Sequence, residues 1–161
     1  MQKQQEFINL IKENEGVIFK VTLVYTFNEE DQKDLYQEIV YQLWKSYDSF
    51  RGDAKISTWM YRIALNTAIT NLKKEKRKGV RVPIDYSLVS KIDQIDTLMD
   101  DRIKLLYNHI KRLNTVEKGI VLLYLEGKSY DEIATISGFS ETNVGTRLNR
   151  IKQKLKSQIK K

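Results

Sequence analysis

Helical periodicity runs through most of the chain and constrains the fold more than any other feature of the sequence. The 161 residues include seven glycines and a single proline, Pro83, so few positions break a helix. Apolar residues recur at helical spacing in segments near 4–13, 16–25, 29–47, 54–78, 101–113, 115–125, 129–136 and 140–159. We therefore predict an all-α protein.

The stretch between residues 79 and 102 interrupts this periodicity. It contains the run Val-Arg-Val-Pro and scattered aspartates, which favour turns and extended backbone. We interpret it as a flexible linker between two small helical domains, residues 1–78 and 103–161. Domains of this size have modest cores, so we expect partner binding to contribute to their stability.

Charge alternates along the chain in four blocks. Residues 1–53 carry a net charge of −4, residues 54–84 +7, residues 85–101 −4 and residues 102–161 +8, which together give the +7 of the whole chain. Basic blocks are common on solvated surfaces. The alternation also fits two nucleic-acid contacts and an acidic protein-binding face.

Several classes of protein are disfavoured by what the sequence lacks. It has no apolar run of membrane-spanning length and no signal-peptide pattern, so we expect a cytoplasmic protein without direct membrane insertion. The absence of cysteine excludes disulfides, thiolate metal sites and cysteine nucleophiles. There is no glycine-rich phosphate loop and no acidic cluster with metal-site spacing. We expect no enzyme activity, no cofactor and no metal.

The segment 129–150 predicts a helix–turn–helix. Ser129 and Glu132 have the spacing of a capping box, which starts a helix. Gly138 stands where that helix must end in a left-handed conformation. The second helix carries one apolar stripe, formed by Val144, Leu148, Ile151 and Leu155.

The polar face of this second helix has side chains that hydrogen-bond to base edges and phosphates in the major groove. With the cap residue and an internal glycine, the candidate DNA-binding residues are Ser140, Thr142, Asn143, Gly145, Thr146, Arg147, Asn149 and Arg150. On this segment alone, a helix pair with a solvated polar face remains an alternative. The net charge of +8 on the surrounding block favours DNA.

The segment 31–44 predicts a helix with two different faces. Leu35, Ile39 and Leu43 form a core stripe, which Val40 and Trp44 extend. Another face carries acids with polar neighbours, namely Asp31, Asp34, Gln37, Glu38 and Tyr41. Acids near a helix N-terminus are also favoured by the helix dipole. Composition alone therefore leaves open an ordinary surface helix or an acidic docking surface for a basic partner helix.

The next helix pairs an apolar stripe with a basic face. Its inward stripe is predicted to contain Ile56, Met60, Ile63 and Thr67. The outward residues are Lys55, Arg62, Asn66, Lys73 and Arg77. Interleaved aromatic residues suit unpaired bases, which stack on such rings; these are Phe50, Trp59 and Tyr61. A core position for Trp59 and a solvated basic face remain alternatives.

Together these segments resemble bacterial sigma factors of the extracytoplasmic-function class, in the sigma-70 family. The resemblance covers about residues 29–71 and 113–154. It is carried by the runs Asp-Leu-x-Gln-Glu with Leu-Trp, Phe-Arg-Gly with Tyr-Arg-Ile-Ala-x-Asn, and Tyr-x-Glu-Ile-Ala, which stand in the family's order. It implies a sigma-2-like first domain that docks on core RNA polymerase, melts the promoter and reads the minus-ten element. The second domain would be sigma-4-like and read the minus-thirty-five element.

The resemblance also implies roles for individual residues. Those implied to bind polymerase are Asp31, Asp34, Gln37, Glu38, Tyr41 and Trp44. Those implied to bind the downstream promoter element are Arg51, Lys55, Ser57, Thr58, Trp59, Arg62, Asn66 and Lys73. The implied partners are the clamp helices of the largest polymerase subunit, the polymerase flap region, duplex and melted promoter DNA, and an anti-sigma factor.

Two positions depart from the family's pattern. Asn114 follows Leu113 where the family often has proline, so Asn114 or Thr115 must cap the next helix. Gly145 stands where lysine or arginine is common, which puts one upstream contact in doubt. The main alternative function is a helix–turn–helix regulator that is not a polymerase subunit. A helical protein–protein adaptor with solvated basic faces is a third hypothesis.

Overall fold

A computed structural model describes residues 2–52, 55–74 and 100–159, apart from the side chains at 73 and 74. Its helices are α1 (Gln2–Glu13), α2 (Glu15–Tyr25), α3 (Glu29–Ser46), α4 (Ile56–Lys74), α5 (Asp101–Ile110), α6 (Thr115–Leu125), α7 (Tyr130–Ser137) and α8 (Glu141–Ile159), with a 3-10 turn at Tyr47–Ser49. These described ranges contain no strand. The all-α prediction is confirmed.

The predicted linker lies outside the described residues as far as residue 99, and so does Arg77. Residues 100–102, the last of the predicted linker, are described and form the start of a helix, as the predicted helical segment from residue 101 indicates. Asp100 already caps α5, because its carboxylate accepts a hydrogen bond from the Arg102 backbone N–H at 2.7 Å. The helix therefore begins at Asp101.

Capping residues fix the starts of α3 and α6. The side-chain oxygen of Asn28 accepts from the Asp31 N–H at 2.7 Å, which confirms the predicted N-cap of α3. Asn114 caps α6 in the same way, accepting from the Glu117 N–H at 2.8 Å, and the Glu117 carboxylate accepts from the Asn114 N–H in return. Asparagine thus does the capping where the family often has proline.

The helix–turn–helix follows its sequence signals closely. Ser129 and Glu132 form the predicted capping box at the start of α7. Gly138 ends this helix at φ +86°, a left-handed conformation that a side chain would strain. Ser140 then accepts from the Asn143 N–H at 3.1 Å and starts α8. Local hydrogen bonds therefore set the length of each helix and the turn between them.

The first domain is built around α2. This helix is apolar on nearly every side, and Ile18, Phe19, Val21 and Val24 are at most 1% exposed. It packs against α3 and α4 within the domain and against α5 and α6 of the second domain. An all-apolar helix of this kind must be enclosed by others. The two domains therefore share α2 as a common core element.

The inward stripe of α4 differs in part from the prediction. Met60 and Thr67 are buried as expected, whereas Ile56 and Ile63 are only half-buried. Five further residues are buried, namely Thr58, Tyr61, Ala64, Leu65 and Ala68. The buried side is wider because α4 packs against α2 and α3 on one side and against α7 on another. The predicted apolar stripe of α4 was too narrow, because it assumed burial on one side of the helix only.

We expect Asn114→Ala to lower the free energy of unfolding by about 1 kcal/mol, because the α6 N-terminus loses its cap. Urea denaturation followed by circular dichroism measures the change. Ser157→Ala, on the exposed surface of α8, is the matched control and should shift stability by less than about 0.5 kcal/mol. Equal effects of the two substitutions would contradict the capping role.

Candidate nucleic-acid and polymerase interfaces

The acidic face of α3 is defined here as Asp31, Asp34, Gln37, Glu38 and Tyr41. All five residues are half-buried and lie away from the core stripe of Leu35, Ile39 and Leu43, which is fully buried. The Asp31 carboxylate accepts from the Asn28 side-chain amide at 2.9 Å, and Glu38 accepts from Gln42 at 3.1 Å. The predicted grouping of the acids on one side of the helix is present.

Trp44 belongs to a separate aromatic cluster. Its ring centroid lies 5.0 Å from that of Phe7 and 6.4 Å from that of Tyr47. The ammonium of Lys3 sits 4.9 Å from the same ring. Trp44 is half-buried and ties α1 to α3. Part of its surface stays accessible.

The basic face of α4 is defined as Lys55, Arg62 and Asn66. All three residues are exposed, as predicted. Lys73 extends the face in sequence, but its side chain lies outside the described residues. Arg51, in the preceding loop, is also exposed. Lys55, directly before α4, and the described part of the helix together present two cations and an amide.

The aromatic and hydroxyl residues near this face are more enclosed. The Trp59 ring packs at 4.9 Å from Phe50 and is half-buried, so both predicted roles remain compatible with its position. Ser57 is half-buried and Thr58 is buried. Tyr61 is only 2% exposed. The prediction that Tyr61 offers a stacking surface is wrong, because α4 has a second buried side.

A polar groove joins the two faces. Glu38 and Gln42 of α3 line it together with Asn66 and Thr70 of α4, and its volume is about 440 Å³. Residues assigned to polymerase docking and to DNA binding thus border one cleft. Residue spacing within α3 or within α4 does not indicate this adjacency, because it does not show how the two helices pack.

The polar face of α8 is exposed opposite a fully buried apolar stripe. Val144, Leu148, Ile151 and Leu155 are at most 8% exposed, which confirms the predicted stripe. The exposed row contains Ser140, Thr142, Asn143, Thr146, Asn149 and Arg150. Hydrogen-bonding side chains of this kind on one open helix face suit base edges and phosphates in the major groove.

Arg147 and Gly145 are placed differently from the exposed row. Arg147 is half-buried, its guanidinium lies 4.3 Å from the Phe139 ring, and it donates to the Asn143 side chain at 2.8 Å. Gly145 faces α7, because a Cβ there would lie 3.3 Å from Cε2 of Tyr130. The glycine allows the Tyr130 ring to lie against α8.

Several residues predicted to bind DNA also contact the second domain. Arg62 donates to the Thr135 backbone carbonyl at 2.9 Å. The ammonium of Lys128 lies at hydrogen-bond distance from the hydroxyls of Ser57 and Thr58. Lys128 was not among the predicted site residues, since a single lysine in a turn has no periodic signal.

A second group of contacts surrounds Glu126. The Tyr61 hydroxyl donates to its carboxylate at 2.7 Å, and Lys20 forms an ion pair with the same group. Burial raises the pKa of Tyr61, and the hydrogen bond to Glu126 raises it further. Tyr61 therefore remains protonated, and a hydrogen-bond donor, throughout the physiological pH range.

Two family models match the chain. Residues 10–78 match the family model for sigma-70 region 2, and residues 103–155 match the model for sigma-70 region 4. The chain belongs to the sigma-70 family. Sigma factors bind core RNA polymerase and promoter DNA and direct initiation at promoters. A regulator acting apart from polymerase is not favoured.

This sigma factor has relatives along most of its length. It is 28% identical over 144 residues to the ECF RNA polymerase sigma-E factor of Haemophilus influenzae, covering 82% of this chain and 76% of the relative. It is 27% identical over 154 residues to RNA polymerase sigma factor SigV of Bacillus subtilis, covering 96% and 91%. These similarities place it among the extracytoplasmic-function sigma factors, as the sequence motifs predicted.

The fold also matches a solved sigma factor. RpoE of Bartonella quintana, determined in complex with the anti-sigma factor NepR, superposes with a TM-score of 0.70 at 16% identity, over 99% of this chain and 97% of that one. Two small helical domains are thus the arrangement of both proteins. In the described residues of this sigma factor, no helix combines the length and apolarity needed to cross a membrane.

We expect Gly145→Ala to raise the free energy of unfolding more in a protein that already carries Tyr130→Ala than in the parent protein. Alanine favours a helix by about 1 kcal/mol over glycine, but the new methyl group meets the Tyr130 ring in the parent protein. Urea denaturation of the parent, both single variants and the double variant measures the coupling. Additive effects would show that Tyr130 does not restrict this position.

Proposed function

We propose that the two domains divide promoter recognition between them. The first domain, residues 1–78, docks on core polymerase and engages the minus-ten element. The second domain, residues 103–161, reads the minus-thirty-five element as duplex DNA. The observation that carries this proposal is the separation of an acidic face on α3 from cationic faces on α4 and α8. Each surface then has one partner of suitable charge.

Polymerase docking is assigned to the acidic face of α3. Its three carboxylates and their polar neighbours suit a basic helical partner, which the family places in the clamp helices of the largest subunit. These half-buried acids lie on a helix of the bundle and keep part of their surface exposed to a partner. Trp44 would contribute through the exposed part of its ring. The flap region is the expected contact of the second domain.

Strand opening is assigned to the basic face of α4 and the loop before it. Lys55, Arg62 and Asn66 would bind the backbone and bases of the displaced strand, with Arg51, Ser57, Thr58, Trp59 and Lys73 around them. Taking a base out of the stack costs a few kcal/mol. Binding of the displaced strand would offset this cost without nucleotide hydrolysis. We infer that the protein has no catalytic activity of its own and needs no cofactor.

Upstream recognition is assigned to the exposed face of α8. Asn143, Thr146, Asn149 and Arg150 would reach base edges, while Ser140 and Thr142 lie near the helix N-terminus, which favours phosphate contacts. Arg147 is oriented by Phe139 and Asn143. We assign Gly145 a packing role against Tyr130 instead of a DNA contact.

Regulation and location follow from the family. The Bartonella quintana relative was solved with an anti-sigma factor, and we propose that an anti-sigma factor also restrains this protein. Because its proposed partner is the transcription machinery, we place the protein in the cytoplasm. Transcription by purified core polymerase on a promoter library, with and without the protein, tests the function as a whole. Unchanged start sites would contradict it.

We expect Asp34→Lys to weaken binding to core polymerase about tenfold or more, since a like charge would face a basic partner. Co-purification with core enzyme and a titration of holoenzyme formation measure the loss. Glu13→Lys, an equal charge change at an exposed site on α1, is the control and should leave binding unchanged. Thermal melting must show that both variants remain folded. If a folded Asp34→Lys variant binds core polymerase as well as the parent does, the acidic face of α3 is not part of the interface.

We expect Arg150→Ala to cost about 1–3 kcal/mol of holoenzyme binding at the upstream element, if this side chain reads a base. Electrophoretic mobility shifts on a promoter selected from the library measure the change. Lys12→Ala, on α1 and exposed, removes the same charge far from α8 and should have no effect. If the loss of binding is equal for matched and mismatched upstream sequences, Arg150 contacts phosphate and does not read a base.

A further inference from the structure

Lys118 carries a buried charge that the proposed function does not use. Only 6% of this residue is exposed, and its ammonium lies 5.3 Å from the centre of the Tyr25 ring and 5.2 Å from that of Phe27. Within the part of the chain that the structure describes, no carboxylate forms an ion pair with this ammonium. Burial lowers the pKa of Lys118, and the charge of Lys111 lowers it further. A buried charge without an ion-pair partner is costly, and a bound anion would offset that cost.

Phe27 presents an aromatic ring beside this lysine. The residue is 72% exposed and stands in the short loop between α2 and α3. Hydrogen bonds fix both of its neighbours, because the Thr26 hydroxyl donates to the Thr22 carbonyl at 2.7 Å and Asn28 caps α3. The loop therefore holds the ring on the outside of the helix bundle. One side of the ring faces Lys118, and much of the rest is open to solvent.

A cleft runs from Phe27 to one face of α5, and we call it the Phe27 cleft. Lys104, Asn108 and Lys111 line it on that side. They stand four and three residues apart, which places them on a single helix face. Phe27 and Gln32 lie on the opposite wall. None of these residues belongs to the surfaces assigned to polymerase or DNA.

The Phe27 cleft has the chemistry that recognises a nucleotide. Ammonium groups bind phosphate oxygens, and Lys104 and Lys111 supply two of them. Lys118 adds a third positive charge behind the aromatic ring. The open side of Phe27 can stack on a base, and such stacking tolerates any base. The two side-chain amides of the cleft can hydrogen-bond to sugar hydroxyls or to base edges.

The size and charge of the cleft favour a free nucleotide over a nucleic-acid strand. Its volume is about 270 Å³, slightly below the roughly 300–1,000 Å³ of typical small-ligand sites. Glu29 lines its edge, and Glu30 and Asp31 follow in the first turn of α3. These carboxylates would repel the neighbouring phosphates of a longer strand. Glu29 itself forms an ion pair with Lys33 at 3.0 Å, which weakens its repulsion of a single bound nucleotide.

We infer that the Phe27 cleft binds a nucleoside triphosphate, with the base on Phe27, the phosphates at Lys104 and Lys111, and Lys118 as the buried counter-charge. The inference goes beyond the proposed function and does not rest on it, because the two use different residues. The ligand would contact both the start of α3 and α5, so its binding stabilises the folded protein by mass action. The stability of the sigma factor would then follow the supply of the nucleotides that RNA polymerase consumes.

Calorimetric titration and thermal melting of the full-length protein test the site, with ATP as the probe. ATP should raise the melting temperature in a saturable manner. Adenosine lacks the phosphates and inorganic triphosphate lacks the base, so each should bind at least about tenfold more weakly than ATP. If inorganic triphosphate binds as tightly as ATP, the cleft is only a patch of positive charge and the inference is wrong.

A competition experiment distinguishes a free nucleotide from a strand. Unlabelled ATP and a single-stranded oligonucleotide of mixed sequence each compete with fluorescently labelled ATP, at equal concentrations of nucleotide units. ATP should displace the label at the lower concentration. Displacement by the oligonucleotide at a lower concentration than ATP would make a strand the occupant of the cleft and would overturn the inference.

Phe27→Ala tests the stacking surface. ATP binding should weaken about tenfold, the size expected for one lost base stack, whereas binding of inorganic triphosphate should not change. The side chain is mostly exposed, so its removal should leave the fold intact. Leu105→Ala removes another exposed apolar side chain, on α5 outside the cleft, and is the matched control. Equal ATP affinities of these two variants would contradict the site.

Lys118→Met tests the buried charge and keeps a long side chain in its place. ATP affinity should fall about tenfold or more, since a charged contact is lost. Lys12→Met removes the same charge from the exposed surface of α1 and should have no effect. Circular dichroism shows whether each variant is folded, and Lys104→Met replaces Lys118→Met if the latter is not. A folded variant of either cleft lysine that binds ATP as the control does would overturn the inference.

Glu29→Gln gives a test in the opposite direction. It removes the carboxylate at the edge of the cleft, so ATP affinity should rise by up to about fivefold, the size of a surface charge interaction. Glu13→Gln, on the exposed part of α1, removes the same charge elsewhere and should leave ATP affinity unchanged. An equal rise in both variants, or no rise in Glu29→Gln, would show that the phosphates do not lie in this cleft.

Discussion

The enclosure of α2 is the constraint on which the rest of the structure depends. This helix has almost no polar face, so it must be buried by neighbours from both domains. Burial of Ile18, Phe19, Val21 and Val24 is an entropic gain that does not depend on orientation. It draws α3, α4 and α6 together, and the polar faces of those helices are then fixed in space.

Much of the fold could be predicted from the sequence because its signals are local. The stripe of Val144, Leu148, Ile151 and Leu155 and the caps at Asn28 and Ser129 depend on neighbours within a few residues. Such patterns survive in any arrangement of the helices. The all-α class, most helix boundaries and the exposed rows of α4 and α8 followed from them.

The contacts between the domains could not be predicted in the same way. The partners in the bonds from Tyr61 to Glu126 and from Arg62 to Thr135 are 65 and 73 residues apart. No periodicity links such residues, and each has an ordinary place on its own helix. The buried position of Tyr61 and the packing role of Gly145 depend on contact with a second helix. The sequence around each residue does not identify that helix. Which residues pack together at such long sequence separation could not be predicted from local patterns.

The ionic contact between Lys55 and Glu132 has a consequence for how the protein responds to salt. Lys55 and Glu132 are both partly solvated, with side-chain exposures of 76% and 25%, so counterions weaken their attraction. Rising ionic strength therefore loosens this contact between the two parts of the fold.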